Sequence, residues 1–557
     1  MFTKPRAVTL ISSLLLFALI CSAIPVTSAQ QQPKRERRVA TPRKTATPTP
    51  TPSPITSAPA PDAFQSRKAA TTRTVAELQA RISEVLRKPQ LEPAMIGIKV
   101  ASLETGKILF EENANKLLRP ASNMKIYTVA AALDRLSPDY RFVTSVYGRA
   151  KPGADGVVRG DLTVYGRGDP SIGAPFNNGD YLKGINDLAA RIVAAGVKRV
   201  EGDLVGDETY FAGPQFGSGW EWEDLTWWFG AEVSALTAND NALDLSVKPG
   251  AQVGSAAVIT TGPPDPLLTI VNRVVTAEEK TKRELTVYRG LAAHELLVSG
   301  SIALDDEGYS GSVAISDPAL LFAYLLRSEL AQRGVIIAGK TRTVAPTVSP
   351  GPADNRVAIA DLVELTSLQS PPLSLIAAQT LKRSQNLYTE LILRTLGKVV
   401  VVPTTTTNAN RTSEGAGIEV VKTFLREAGI GSPTLIQTDG SGLSWHDMVT
   451  AGATLQLLTY MHRHRYASVF RDALSIAGVD GTLKNRLKGT LAENNLRAKT
   501  GTLSSASSLS GYVRDAAGEE LVFSIIVNNY PEDANVRASC IDPIAILLAS
   551  FAGKSER

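Results

Sequence analysis

Three short groups of residues stand out for the chemistry their side chains could do together. They are Ser122-Asn123-Met124-Lys125, Ser384-Gln385-Asn386, and Lys499-Thr500-Gly501 followed by Thr502. A serine and a lysine three apart at a helix start share one face, so Lys125 can reach the Ser122 hydroxyl and take its proton. A lysine serves as a base only where burial or a neighbouring cation lowers its pKa. The helix start also offers a positive end and free N–H groups that can hold an oxyanion. Ser384-Gln385-Asn386 falls within or at the edge of a helical stretch. Lys499 sits on a predicted strand and supplies positive charge. Gly501 is expected to admit a substrate backbone, and Thr502 to present its N–H as a second oxyanion donor. Each motif alone recurs by chance in long chains. Their order along this one gives them weight.

Taken together, they resemble the Ser-x-x-Lys, Ser-Asp-Asn and Lys-Thr-Gly set of penicillin-binding proteins and β-lactamases. Gln385 replaces the middle Asp, at a position that usually points away from the site. Arg119-Pro120-Ala121-Ser122-Asn123-Met124-Lys125 is similar to the nucleophile segment of one family in particular. This is the D-alanyl-D-alanine carboxypeptidase/endopeptidase family, the class C low-molecular-mass penicillin-binding proteins with a large insertion. Gly168-Asp-Pro-Ser171, Val233-Ser-Ala-Leu236, Asp439-Gly-Ser-Gly-Leu-Ser444 and Gly478-Val-Asp-Gly-Thr-Leu483 resemble its other segments. The long stretch between Ser122 and Ser384 matches the place where that family carries extra domains.

The resemblance implies an α+β fold: a penicillin-binding/β-lactamase-like serine peptidase, with an antiparallel sheet flanked by helices and inserted β-rich domains. It implies that Ser122 attacks the carbonyl of a D-Ala-D-Ala bond, with Lys125 as general base. Ser384 and Asn386 would pass a proton to the leaving amine and hold the substrate amide. Lys499 and Thr500 would bind the terminal carboxylate, and Lys499 would help depress the pKa of Lys125. The N–H groups of Ser122 and Thr502 would form the oxyanion hole, with Gly501 between. No metal or organic cofactor is implied. The partners are peptidoglycan stem peptides, and β-lactam antibiotics as inhibitors. Two other readings share these motifs: a β-lactamase, and a catalytically silent wall-binding scaffold.

The elements that must position these residues fill a chain of 557 residues, room for about three or four domains. An apolar fraction of 43 % with 20 % charged residues is ordinary for a folded protein and excludes a transporter or a mostly disordered chain. Four His and two Cys, without paired spacing, make a zinc site unlikely. The net charge of +5 is uneven. Residues 30–73 hold nine Lys or Arg against two acids, while the chain beyond 73 is net acidic, which argues against a nucleic-acid-binding core.

Residues 1–29 read as a signal peptide. Lys4 and Arg6 precede the uncharged Val8–Ile24 run, and Thr27 and Ala29 suit cleavage before Gln30. An uncleaved anchor is the lesser reading. Lipidation at Cys21 is disfavoured by Ile20. Loss of Cys21 would leave Cys540 alone, with no intramolecular disulfide. The Pro- and Thr-rich basic stretch 30–73 reads as a disordered linker. The catalytic module is assigned to 74–145 and 365–557, and the inserted β-rich domains to 146–364. The protein is thus expected to be exported, periplasmic or wall-associated.

Local patterns fill in the rest. Thr74 and Glu77 form a capping-box pattern ahead of a helix that ends at Pro89. A hairpin is expected around Glu104–Lys107. Strands are expected over 157–165 and 200–205, a helix after an Asp317 cap, and a helical stretch over 365–396. Thr404–Asn410 reads as a polar loop. The end of the chain reads as strands 496–503, 507–513 and 521–528 and a closing helix over 533–551. Trp220, Trp222, Trp227 and Trp228 read as packing of an inserted domain rather than a sugar platform. Arg167-Gly-Asp169 reads as a turn rather than an adhesion signal. His462 and His464 read as surface or core positions, and His446 as a residue that could line a cleft.

Overall fold

The computed structural model describes residues 71–346, 358–402, 412–431 and 433–555. The signal-like start, residues 30–70 of the linker and the polar loop 404–410 lie outside them. The first helix, α1 (Val75–Leu86), opens on the expected capping box. The Thr74 hydroxyl accepts from the Glu77 N–H at 3.1 Å, and the Glu77 carboxylate accepts from the Thr74 N–H at 3.2 Å. Strands β1 (Met95–Ser102) and β2 (Ile108–Glu112) form the expected hairpin. Helix α2 (Met124–Leu136) follows, and every residue from Met124 to Leu133 is buried.

The chain then leaves on β3 (Val143–Gly148) and returns on β4 (Val363–Gln369), which pairs antiparallel with it. Helices α3 (Leu373–Arg383), α4 (Asn386–Val399), α5 (Ser413–Glu427) and α6 (Ala451–His462) come next. Strands β5 (Arg497–Leu503), β6 (Ala506–Arg514) and β7 (Glu520–Asn528) and helix α7 (Asp542–Ala549) complete it.

One antiparallel sheet runs Ser475–Ile476, β5, β6, β7, β1, β2. The N-terminal hairpin therefore finishes a sheet built mainly by the C-terminus. Successive side chains point to opposite faces, so both faces must be covered. Ile98, Phe523 and Ile525 pack with Leu78 and Ile82 of α1 and Leu548 of α7. On the other face Ile526 packs with Ile126 and Val129 of α2, Leu393 of α4 and Leu457 of α6.

Between β3 and β4 lies a five-stranded sheet. Its order is Thr341–Val344, Leu204–Asp207, Leu162–Tyr165, β3, β4. Three three-stranded sheets and the helices Lys183–Ala194 and Pro318–Gln332 accompany it. Here the structure departs from the local expectations. The runs 157–165 and 200–205 each divide into two short strands that join different sheets. The breaks fall where the backbones of Gly160-Asp161 and Gly202-Asp203 meet. Gly160 has φ +99°, and a Cβ on Gly202 would lie 2.3 Å from the Asp161 carboxylate. Residues 365–369 belong to strand β4 rather than a helix, and Pro371-Pro372 separates it from α3. Asp317 takes a left-handed conformation and does not cap the helix after it. Its carboxylate pairs instead with His294 at 2.9 Å.

Glu208 is buried in this region, bonded to the Ser234 hydroxyl at 2.6 Å, and burial pushes its pKa up to about 7. A carboxyl raised on folding favours the native state while it keeps its proton, and that contribution is lost as pH rises through its folded pKa. Glu208→Gln should therefore flatten the fall in stability between pH 5 and pH 8. The gain at pH 8 should be about 3 kcal/mol relative to pH 5, read from urea unfolding at the two values. An unchanged pH slope in the variant would refute this.

Candidate active site

Ser122 lies on a 3-10 turn, Ala121–Asn123, that runs straight into α2. Ala121 is left-handed (φ 48°), a conformation costly for a residue with a side chain unless its surroundings hold it. Here they do. The Pro120 carbonyl accepts from the Ser508 hydroxyl of β6 at 2.7 Å. The Asn123 side chain donates to Ser510 at 3.1 Å. A Cβ on Gly442 would stand 1.9 Å from the Ala121 carbonyl oxygen, so the 439–444 loop needs glycine to seat against the nucleophile segment. A Cβ on Gly501 would meet the Pro120 carbonyl at 2.4 Å and Ser508 at 2.2 Å. Glycine at 501 thus has a structural reason beside the one expected. It admits the protein's own Pro120-Ala121 backbone.

Ser384 ends α3 in a left-handed conformation (φ 60°, ψ 43°), and this turn directs its hydroxyl to Lys499. Gln385 is the N-cap of α4 and its side-chain oxygen accepts from the Leu387 N–H, a bond that an Asp at this position could also accept. Lys499 Nζ donates to Ser384 Oγ at 2.8 Å and to the Thr500 carbonyl at 2.7 Å. The Thr500 hydroxyl donates to Thr482 at 2.8 Å. Thr502 follows two residues on, half-buried.

At the centre, Lys125 is fully buried. Its Nζ lies 3.0 Å from Ser122 Oγ, 2.6 Å from Asn386 Oδ1 and 2.6 Å from the Ser441 carbonyl. The last two can only accept. Asn386 is oriented by its own Nδ2, which donates to the Phe229 carbonyl at 2.8 Å. A neutral amine has two N–H bonds and one lone pair. In the neutral form, with the N–H bonds held by Asn386 and Ser441, the lone pair would face the Ser122 hydroxyl. This geometry lets the amine take the hydroxyl proton.

The Asp439–Ser444 loop is rigid. The Asp439 carboxylate accepts from the N–H groups of Ser441, Gly442, Leu443 and Ser444, from the Ser441 hydroxyl and from the Trp220 indole. Glu390 and Asp447 are buried beside it. Burial first and the Asp439 charge second raise both carboxyls well above the usual range.

The structure thus brings Ser122, Lys125 and Asn386 into one hydrogen-bonded group and Ser384 and Lys499 into a second, with Thr500 beside the second. The carbonyls of Ser441 and Phe229 and the hydroxyl of Thr482 also belong to these groups and escaped the sequence reading. Backbone carbonyls leave no side-chain signature. Ser441 and Thr482 lie within the family-like segments Asp439–Ser444 and Gly478–Leu483 but carry no role in the sequence reading. Along β5, the partner strand Ser475–Ile476 covers only Arg497 and Ala498. Among the described residues, no strand pairs with that edge from Lys499 to Leu503. An extended peptide can add there by backbone hydrogen bonds. A cavity of about 680 Å³ between β1, the end of α2 and α6 holds none of these residues.

Of the other sequence features, Trp220 packs with its indole on Asp439, while Trp222 is 69 % exposed. Asp169 is buried and bonded to Ser171, as a turn residue would be. His464 pairs with Asp134 at 3.0 Å, away from the site. His446 is exposed and lies against Gly219.

Residues 78–551 match the family described as D-Ala-D-Ala carboxypeptidase 3 (S13). The chain belongs to that family. It is 33 % identical over 488 residues to the D-alanyl-D-alanine carboxypeptidase of Actinomadura sp. (strain R39), covering 86 % of this chain and 85 % of that one. It is 25 % identical over 446 residues to the D-alanyl-D-alanine carboxypeptidase DacB of Haemophilus influenzae, covering 79 % and 86 %. The crystal structure of penicillin binding protein 4 (dacB) from Haemophilus influenzae superposes with a TM-score of 0.70 at 24 % identity, over 85 % of this chain and 99 % of that one. This S13 carboxypeptidase therefore has the expected α+β penicillin-binding fold with inserted domains, and it is a serine-type enzyme. The match runs from α1 to the end of α7 and so takes in the whole of the long interval between Ser122 and Ser384.

Proposed function

We propose that this S13 enzyme is an exported D,D-peptidase acting on peptidoglycan stem peptides, both as carboxypeptidase and as cross-link endopeptidase, and that β-lactams acylate Ser122. The observation that carries the reading is the Lys125 amine, with two acceptor-only partners and its third direction on Ser122. The Ser122 proton passes to Lys125 as Oγ bonds to the substrate carbonyl carbon. The N–H groups of Ser122 and Thr502 take the developing oxyanion. Ser384 accepts a hydrogen bond from Lys499, so its own O–H is directed elsewhere. It gives its proton to the leaving amine as the C–N bond breaks and regains one from Lys125. Asn386 holds the substrate amide, and Lys499 and Thr500 hold the terminal carboxylate. Water then adds to the ester, the Oγ–C bond breaks, and Ser122 recovers its proton.

The module borders, 74–145 with 365–557 around 146–364, form part of this reading. The β3–β4 pair straddles them. Export through residues 1–29, with 30–73 as a spacer, also belongs to it. Among the described residues no helix is long and apolar enough to cross a membrane.

Residues 30–557 incubated with a pentapeptide muropeptide and a cross-linked dimer test the activity. Mass spectrometry should show loss of one Ala from the first and splitting of the second. If folded protein turns over neither substrate, the reading fails. If only the pentapeptide is cut, the endopeptidase part fails.

A further inference from the structure

Two acceptors aim the Lys125 lone pair at Ser122, and both are fixed from one stretch of the insert. The Phe229 carbonyl holds the Asn386 amide at 2.8 Å. The Trp220 indole N–H lies 2.8 Å from Asp439, whose carboxylate folds the loop that presents the Ser441 carbonyl. We propose that residues 217–230 form a strap that positions the catalytic base, with Trp220 and Phe229 acting through Asp439 and Asn386. The proposal rests on Lys125 being the base, as argued above.

The strap is itself clamped along its length. Just ahead of it, Arg394 of α4 donates to the Pro214 and Phe216 carbonyls at 2.7 and 3.2 Å. The Ser218 N–H donates to Glu414 of α5 at 3.0 Å. The Gly219 backbone presses on the 439–444 loop so closely that a Cβ would stand 2.4 Å from Ser444 Oγ. At the far end the buried Arg289 donates to the Leu225 carbonyl at 2.8 Å and pairs with Glu232. A segment needed only to wall a cleft would not require its polar groups on Asn386, which holds Lys125, and on Asp439, which folds the loop that presents the Ser441 carbonyl. On this reading the insert completes the catalytic centre, and Trp220 is a positioning residue that makes no contact with reacting atoms.

The test is Trp220→Phe in residues 30–557. The ring is kept and the N–H removed. Stopped-flow acylation by a fluorescent penicillin over a range of concentrations separates the pre-acylation Kd from the first-order acylation constant. The acylation constant should fall about tenfold, the effect of one hydrogen bond to a charged group, with Kd within about twofold of wild type. Asp439→Asn, which loses acceptor capacity at one oxygen, should lower the same constant more, by about a hundredfold. An unchanged acylation constant in Trp220→Phe, or a loss carried by Kd, overturns the proposal. Lys125→Ala run alongside keeps the two readings apart. If it abolishes acylation while Trp220→Phe reacts at the wild-type rate, the strap is refuted and the base assignment stands.

Discussion

Ser122→Ala yields a folded protein that transfers no acyl group. Among the described residues the Ser122 hydroxyl has Lys125 as its side-chain hydrogen-bond partner, and the residue is buried on a turn held by Pro120, Asn123 and Gly442 through contacts the substitution leaves alone. The scaffold should survive, and the melting temperature should stay within a few degrees of wild type. The chemistry should not. With the nucleophile gone no covalent intermediate forms, and kcat should fall on the order of 10⁶-fold, the scale of nucleophile loss in other serine hydrolases. Intact-mass spectrometry after incubation with a penicillin should show the drug's added mass on wild type and none on the variant. An adduct on Ser122→Ala would place the nucleophile elsewhere.

Lys125→Arg separates a base from a positive charge. Arginine keeps the charge, has no accessible lone pair and holds its proton above pH 12. If Lys125 served by charge alone, arginine would retain much of the activity. As a base it cannot be replaced, and acylation should slow by roughly 10²- to 10⁴-fold. The rate of acylation by a chromogenic cephalosporin measures this directly. A loss smaller than tenfold would show that charge suffices.

What could be read from the sequence follows a physical line. Thr74 with Glu77, the hairpin around Glu104–Lys107, and β6 and β7 announce themselves because side chains set them: a reciprocal cap, a turn and short apolar runs. Ser122, Lys125, Ser384, Asn386 and Lys499 were legible because each works through its side chain. Ser441 and Phe229 were not, because they act through carbonyls that every residue has. The split of 157–165 between two sheets was hidden because it depends on Gly202 meeting Asp161, a contact of the folded chain. Leu365 was assigned to a helix because β4 and α3 are both apolar and only Pro371-Pro372 divides them. Asp317 before Pro318 has the residue types of a cap, yet its pairing with His294 takes the carboxylate away.

The nucleophile turn is held by Ser508, 388 positions further along the chain than Pro120. A ribosome adding 5–20 residues per second needs roughly 20 to 80 s to make that interval. Throughout it the nascent polypeptide carries Ser122 without the strand that seats it and without Lys499. A chain cut short at any point in that window bears a serine that nothing has yet activated. Reactivity toward its substrate appears late, when synthesis is almost finished.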